Sequence, residues 1–226
     1  MYEMHSKLKT NSLLDHPLTF HFSLLTPYPS LPTPHPMLLT TFAPWRAHQC
    51  SNAADDLVAH LQQHHHIPLG TTVVRHIPVS FELAPIRVVA KLVELRPAVV
   101  VCCGMAEKRR HLHLERYGKN GEDWLATALP LDSLLLGTHL TSISEDAGTY
   151  VCNHLYHRLL GSIAQHRWPI HALFVHIPPL TPATQPLLAY DLTLILKRLA
   201  TVTSRTHALQ SLDLKSPKNS PNSRWL

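Results

Sequence analysis

The apolar positions of this chain fall into two alternating patterns, and the alternation predicts its secondary structure. Short apolar runs are typical of strands that are buried on both faces of a parallel sheet. Such runs occur as MLLTTF at 37–42, AVVVCCG at 98–104 and IHALFVHIP at 170–178. TTVVRHIPV at 71–79 is a fourth predicted strand. The run at 98–104 ends in a glycine, a pattern that favours a central strand.

Between these strands, apolar residues recur at helical spacing. A first helix is predicted to begin at a Ser51 or Asn52 cap, and a second has Pro85 near its first turn. Two further helices are predicted at 150–166 and 186–201. The apolar residues at helical spacing in the first two helices are Leu57, Val58 and Leu61, followed by Ile86, Val89, Leu92 and Val93.

This order of elements predicts an α/β fold, in the form of a three-layer α/β/α sandwich with a largely parallel central sheet. The segment DSLLLGTHLTSI at 132–143 is mixed, and part of it is compatible with a strand. Ligands of such sheets collect at the carboxyl ends of the strands. We therefore expect one α/β domain over 37–202, with its site at that edge.

The two ends of the chain differ from this domain in composition. Residues 1–36 contain six prolines and no glycine, which opposes both helix and central strand, so we expect a disordered segment. An alternative is that it is not translated and that Met37 is the start. Residues 203–226 are polar and basic and predict a flexible tail.

Charge and hydropathy narrow the choice of partners. The chain has 226 residues, of which 45% are hydrophobic and 15% charged, and no apolar run reaches the length of a membrane span. Much of the net charge of +5 lies in the tail, and no basic stripe is interleaved with aromatic residues. We therefore expect neither a nucleic-acid partner nor a membrane.

Cysteine and histidine spacing gives no metal signature. Cys50, Cys102, Cys103 and Cys152 fit neither a zinc site nor a disulfide framework, which favours reduced thiols in the cytoplasm. The tract QQHHHIP at 62–68 is interpreted as a solvated helix end. No metal and no organic cofactor is expected.

Three polar residues lie where the sheet would place a site: Glu115, Cys152 at a helix start, and His176 at a strand end. A thiol, an imidazole and an orienting carboxylate form the catalytic set of thiol hydrolases. A helix N-terminus and an imidazolium can lower a thiol pKa to roughly 3.5–7.5. The open alternatives are a buried filler cysteine, a structural histidine and a surface carboxylate paired with Arg109 or Arg116.

Four segments, in order, resemble pyroglutamyl peptidase I, also called pyrrolidone-carboxylate peptidase. They are LLTTFAPW, VVVCCGMAEKRRHLHLER, AGTYVCNHLYH and ALFVHIP, between residue 37 and about residue 180. The resemblance implies a Cys152, His176 and Glu115 triad and a substrate pocket containing Phe42, Trp45 and Met105. In the second segment, Gly104, Ala106 and Arg109 also match the family.

The resemblance implies a cytoplasmic cysteine exopeptidase that removes an N-terminal pyroglutamyl residue from peptides through a thioester. A peptide beginning with pyroglutamate is then the partner, and a homo-oligomer is possible. The chain departs from the family where Thr41 replaces a glycine, where Met105 replaces a polar residue, where Glu107 and Lys108 replace two glycines, and where the segment after Glu115 is shortened. Two alternatives remain open: a thiol amidase with another small acyl substrate, and a catalytically silent scaffold.

Overall fold

The computed structural model describes residues 37–46 and 49–213. The predicted Pro-rich segment 1–36 and the end of the predicted tail, 214–226, lie outside the described residues. The described elements, in chain order, are β1 (Met37–Phe42), α1 (Ala53–Gln63), β2 (Thr71–Ile77), α2 (Leu83–Leu95), β3 (Val99–Met105), β4 (Leu112–Glu115), β5 (Tyr117–Asn120), β6 (Asp123–Ala126), α3 (Leu131–Leu135), β7 (Thr141–Ser144), α4 (Val151–His166), β8 (His171–Ile177) and α5 (Gln185–Asp213).

The central sheet has six strands in the order β2-β1-β3-β8-β4-β7. The first four of these run parallel to one another, whereas β4 pairs antiparallel with β8 and parallel with β7. The largely parallel sheet is therefore confirmed, and β3 lies in its interior between β1 and β8.

Helices cover both faces of the sheet, as predicted for a three-layer sandwich. Apolar residues of α1, α3 and α5 pack on one face, and those of α2 and α4 pack on the other. The adjacent Cys102 and Cys103 of β3 are both buried and point to opposite layers, because successive strand residues alternate between faces. Asn52 caps α1 by accepting a hydrogen bond from the Ala54 N–H at 3.0 Å.

The predicted helix α2 is confirmed, and only part of its apolar periodicity is buried. Ala84, Pro85, Val88 and Leu92 are buried, whereas Ile86 and Val93 are exposed. The helix carries apolar residues on more than one side, so its periodicity identifies an apolar helix without fixing which side meets the sheet. Of the four residues at helical spacing, only Leu92 is fully in the core.

Two further differences concern the ends of elements and a small added sheet. Helix α5 continues past residue 201, where the sequence predicted its end, to Asp213. Strands β5 and β6 form a two-stranded antiparallel hairpin that was not predicted. No helix in the described ranges combines the length and the apolarity needed to cross a membrane.

The hairpin packs so closely against α4 that it requires a glycine. A Cβ atom placed on Gly118 would clash with the backbone nitrogen of His157 and would lie 2.6 Å from its Cα. We predict that Gly118→Ala destabilises the protein by about 1–3 kcal/mol, because a helix backbone must move to admit the methyl group. Chemical denaturation measures the free energy of unfolding.

Gly161→Ala is the matched control for this prediction. Gly161 lies within helix α4, and a Cβ atom placed on it would meet only Leu125 Cδ1 of β6, at 3.5 Å, which is an ordinary van der Waals contact. Alanine should therefore be neutral there or stabilise the protein by up to about 1 kcal/mol. Equal stabilities of the two variants would contradict the close approach of β5 and α4.

Candidate active site

A cavity of about 600 Å³ opens at the carboxyl ends of β1, β3 and β8, the edge where the sequence predicted a site. Five of the six candidate residues line it: Phe42, Trp45, Met105, Cys152 and His176. The sixth, Glu115, lies in the interior beside this cavity and is fully buried. Residues separated by more than 130 positions are thus brought together by the sheet.

Glu115 and His176 form a buried hydrogen-bonded pair. The His176 Nδ1–H donates to Glu115 Oε1 at 2.7 Å. The antiparallel register sets Glu115 opposite Phe174, so the carboxylate lies diagonally across from His176 on the same side of the sheet. An ionised carboxylate can only accept, which leaves the proton on Nδ1 and the Nε2 lone pair free. Of the alternative of a surface carboxylate paired with an arginine, the surface position is therefore wrong, whereas Arg109 does lie near Glu115.

Cys152 lies in the first turn of α4, directly above Gly104 of β3. A Cβ atom placed on Gly104 would lie 2.8 Å from the Cys152 Sγ and 2.9 Å from the Phe174 ring. Gly104 is in register with His176 on the neighbouring parallel strand, so the thiol and the imidazole occupy adjacent positions on one face. The strand-end glycine seen in the sequence therefore makes room for the sulfur.

The surroundings of Cys152 oppose the thiolate that a helix start and an imidazolium would favour. Burial raises the pKa of Cys152 to about 12, with smaller contributions in the same direction from Cys102 and the Glu115 carboxylate, while the backbone N–H of Cys152 itself acts in the opposite direction. In the described part of the chain, the His176 ring is hydrogen-bonded to Glu115 alone. The sequence showed the helix start but not the burial that outweighs it.

A pH series of alkylation checks this property. We predict that iodoacetamide reacts with Cys152 at a rate that still increases at pH 10, since the thiolate fraction grows about tenfold per pH unit below the pKa. The exposed Cys50 is the internal control in the same peptide map. A rate at Cys152 that is already constant below about pH 8 would show that the free protein holds a thiolate.

Arg109 links the buried pair to the loop that precedes α4. Its guanidinium donates to Asp146 O at 2.7 Å, to Ser144 Oγ at 3.2 Å and to His113 Nδ1 at 2.5 Å. It also lies 3.4 Å from Glu115 Oε1. The sequence match identified this arginine without a role, because its partners come from two segments, 113–115 and 144–146, that lie about 30 residues apart. Its contacts fix the carboxylate relative to the loop that leads to Cys152.

The aromatic residues of the cavity differ in their surroundings. Phe42 is buried in the core layer beneath α2 and α4 and also lines the cavity. Trp45 is half-exposed at the rim, where its ring lies 4.9 Å from that of Tyr150. Trp45 is therefore not a plain core aromatic. Tyr150 is a lining residue that the sequence analysis did not single out, although it precedes Cys152 by only two positions.

Asn153, next to Cys152, has a structural role that the sequence did not assign. Its side-chain oxygen accepts from the Lys119 N–H and its amide donates to the Lys119 carbonyl, both at 2.8 Å. These two bonds attach the start of α4 to strand β5 and hold the cysteine in place relative to the hairpin.

The histidine tract lies at the exposed end of α1, with His64 in the C-cap position, as interpreted from the sequence. Within the described ranges, no three His, Cys, Asp or Glu side chains are grouped so that they could bind a metal ion. Beside the cavity lie a thiol, an imidazole and a carboxylate, the arrangement of a thiol hydrolase.

Comparison with known proteins agrees with this class. The family model described as "Pyroglutamyl peptidase" matches residues 137–191. Pyrrolidone-carboxylate peptidase 1 of Ralstonia nicotianae is 30% identical over 164 residues, which cover 58% of this chain and 76% of that protein. The pyrrolidone-carboxylate peptidase of Brevibacillus brevis is 28% identical over 165 residues, or 59% of this chain and 77% of that protein.

Two solved structures have the same fold. Pyroglutamyl peptidase I of Bacillus amyloliquefaciens aligns with a TM-score of 0.62 at 22% identity, covering 73% of this chain and 96% of that one. Pyrrolidone carboxyl peptidase of Thermococcus litoralis aligns with a TM-score of 0.61 at 19% identity, covering 81% and 97%. From the sequence relatives together with this fold, the chain belongs to the pyroglutamyl peptidase family.

Proposed function

We propose that this protein is a cysteine peptidase that removes the N-terminal pyroglutamyl residue from peptides. The observation that carries the proposal is the grouping of Cys152 and His176 in one cavity, with His176 bonded to the buried Glu115. Family membership supports the substrate, since relatives bear the name pyrrolidone-carboxylate peptidase.

The cavity suits a small uncharged ring. A pyroglutamyl residue has no charged amine, so apolar walls do not oppose its entry. Phe42 and Trp45 would contact the two sides of the lactam, and backbone groups of the wall would pair with its N–H and C=O. A ring without these polar groups would leave the wall groups unpaired and be rejected.

The proposed reaction uses the Cys152 thiol as the nucleophile and the His176 imidazole as the general base. As substrate binds, Nε2 of His176 accepts the proton of Cys152, and Sγ attacks the pyroglutamyl carbonyl carbon. The Glu115 carboxylate stabilises the imidazolium through Nδ1–H. Backbone N–H groups at the start of α4 would stabilise the oxyanion.

The attack produces a tetrahedral intermediate that carries the oxyanion, and its collapse breaks the amide bond. His176 returns the proton to the leaving amine, which departs as the shortened peptide, and the pyroglutamyl group remains on Cys152 as a thioester. His176 then removes a proton from water as its oxygen attacks the thioester carbon; the C–S bond breaks, His176 returns the proton to Cys152 Sγ, and pyroglutamate leaves. The cycle needs no redox partner and no external base.

One feature of the cavity favours a second candidate, a thiol amidase acting on another small acyl group. Met105 lines the cavity, and its Sδ lies 3.5 Å from the Ala53 N–H. A thioether is a weak acceptor and cannot donate, so this wall offers little to a lactam that needs strong partners.

A panel of acyl amides with one fluorescent leaving group separates the two candidates. The acyl groups are pyroglutamyl, prolyl, alanyl and acetyl; prolyl keeps the five-membered ring and lacks the lactam carbonyl. Turnover of the pyroglutamyl amide alone is the result expected. Preference for another acyl group would favour the amidase, and no turnover of any would favour the silent scaffold.

We also infer a cytoplasmic location. All four cysteines are free, and Cys102 and Cys103 are fully buried as thiols, which suits a reducing compartment. The possible homo-oligomer stays a prediction from the sequence.

A further inference from the structure

A row of aromatic rings leads from the cavity wall onto the protein surface. The Trp45 and Tyr150 rings, both lining the cavity, are 4.9 Å apart. The Phe81 ring lies edge-on to Tyr150 at 5.7 Å, and the His154 ring lies edge-on to Phe81 at 5.3 Å. Phe81 and His154 are outside the cavity lining, so this row, called the aromatic shelf below, extends the wall outward.

The aromatic shelf is accessible although it is largely apolar. Trp45, Phe81 and Tyr150 are 42%, 46% and 43% exposed. Burial, followed by repulsion from Arg158 and His157, lowers the pKa of His154 below its ordinary value, so its ring is neutral at pH 7. A continuous surface of half-exposed rings next to a cavity is typical of a binding surface rather than of a core.

Part of the remaining cavity wall is charged. Arg46 and Glu107, which both line the cavity, form an ion pair at 2.9 Å, and the lining residue Asp146 lies 3.6 Å from Lys119 Nζ. These paired charges offer little to an apolar side chain. The aromatic shelf, in contrast, is an apolar path from the cavity to the surface along which a peptide can leave.

Phe81 is held in position by two elements. It lies in the turn before α2, where Ser80 Oγ accepts from the Leu83 N–H at 3.2 Å. On its other side it contacts His154, which follows Cys152 by two residues on α4. The Phe81 ring lies 5.7 Å from the ring of Tyr150, which lines the cavity together with Cys152. A side chain that leaves the cavity along Tyr150 therefore meets the Phe81 ring.

We infer that Phe81, with Tyr150 and His154 beside it, binds the side chain of the residue that follows the pyroglutamyl group and favours aromatic side chains there. This inference rests on the proposed function. The lactam pocket would hold the pyroglutamyl ring, whereas the aromatic shelf would hold the next residue, which becomes the first residue of the released peptide.

Competing peptides test the inference. The kcat/KM of pyroglutamyl-phenylalanyl-glycine amide is divided by that of pyroglutamyl-glycyl-glycine amide, for the wild type, Phe81→Ala and Phe81→Leu. We expect a preference for phenylalanine in the wild type, a ratio about fivefold lower in Phe81→Ala, and an intermediate value in Phe81→Leu. Because both kcat/KM values are measured with the same variant, the concentration of folded enzyme cancels from their ratio, and partial unfolding cannot produce the expected drop.

Ile86→Ala is the matched control. Ile86 is an exposed apolar residue on α2, close to Phe81 in the sequence, and it is not one of the rings of the aromatic shelf. Its ratio should equal that of the wild type. An unchanged ratio in Phe81→Ala, or an equal drop in Ile86→Ala, would overturn the inference while leaving the proposed function intact. Failure of the wild type to hydrolyse either peptide would overturn the proposed function and this inference with it.

Discussion

Replacement of Cys152 by alanine should lower the turnover of a pyroglutamyl amide by about 10⁴-fold or more. The thiol is the only nucleophile among the three residues of the proposed triad, and alanine leaves His176 with nothing to deprotonate except water. The fold should persist, because the Cys152 side chain borders the cavity and the change removes a single sulfur atom. Steady-state kinetics with an unfolding curve for each variant makes the comparison.

Cys50→Ala is the matched control for this substitution, since Cys50 is also a free thiol and is exposed. It should retain wild-type activity and stability. Activity of Cys152→Ala within tenfold of the wild type would remove the thiol from the mechanism, whereas a collapse of stability in that variant would assign the cysteine to packing.

Replacement of Glu115 by glutamine should lower kcat by a factor of about 10²–10⁴ with little change in KM. The carboxylate accepts from His176 Nδ1–H, and the amide can instead donate to Nδ1. That reverses the tautomer and places the proton on Nε2, which faces the reaction. KM is spared because Glu115 does not line the cavity.

Glu145→Gln is the matched control for Glu115→Gln. Glu145 is an exposed carboxylate that pairs with Arg116 at 2.8 Å, so the same chemical change is made next to the site without touching His176. It should alter kcat by less than about twofold, as surface ion pairs contribute little. Equal losses in the two variants, or a Glu115→Gln effect confined to KM, would contradict the orienting role of the buried carboxylate.

The sequence predicted the parts of the fold that have a strong local signal. The apolar runs of β1, β3 and β8 identified the buried parallel strands, and Asn52 marked the start of α1. The hairpin of β5 and β6 was missed because its strands are short and mostly polar or exposed. The sequence did not fix the buried face of α2, because the sheet decides which of its apolar sides is covered.

The sequence identified residues that the structure brings together, but it did not show the electrostatic surroundings of the thiol. The motif around Cys152, the strand-end His176 and the carboxylate Glu115 come together at one sheet edge. The raised pKa of the thiol depends on how deeply it is buried, which only the packed layers determine. The contacts of Arg109, and the ring pairing of Tyr150, join segments that are distant in sequence, so no local pattern shows them.

The measurement that tests the central proposal most directly uses two peptides that differ only at the first residue, one beginning with pyroglutamate and the other with uncyclised glutamine. Each is incubated with the purified full chain, and the products are identified by mass spectrometry. The account predicts release of pyroglutamate and a peptide one residue shorter from the first peptide, with the second left intact. Cleavage of both peptides, or of neither, would contradict it.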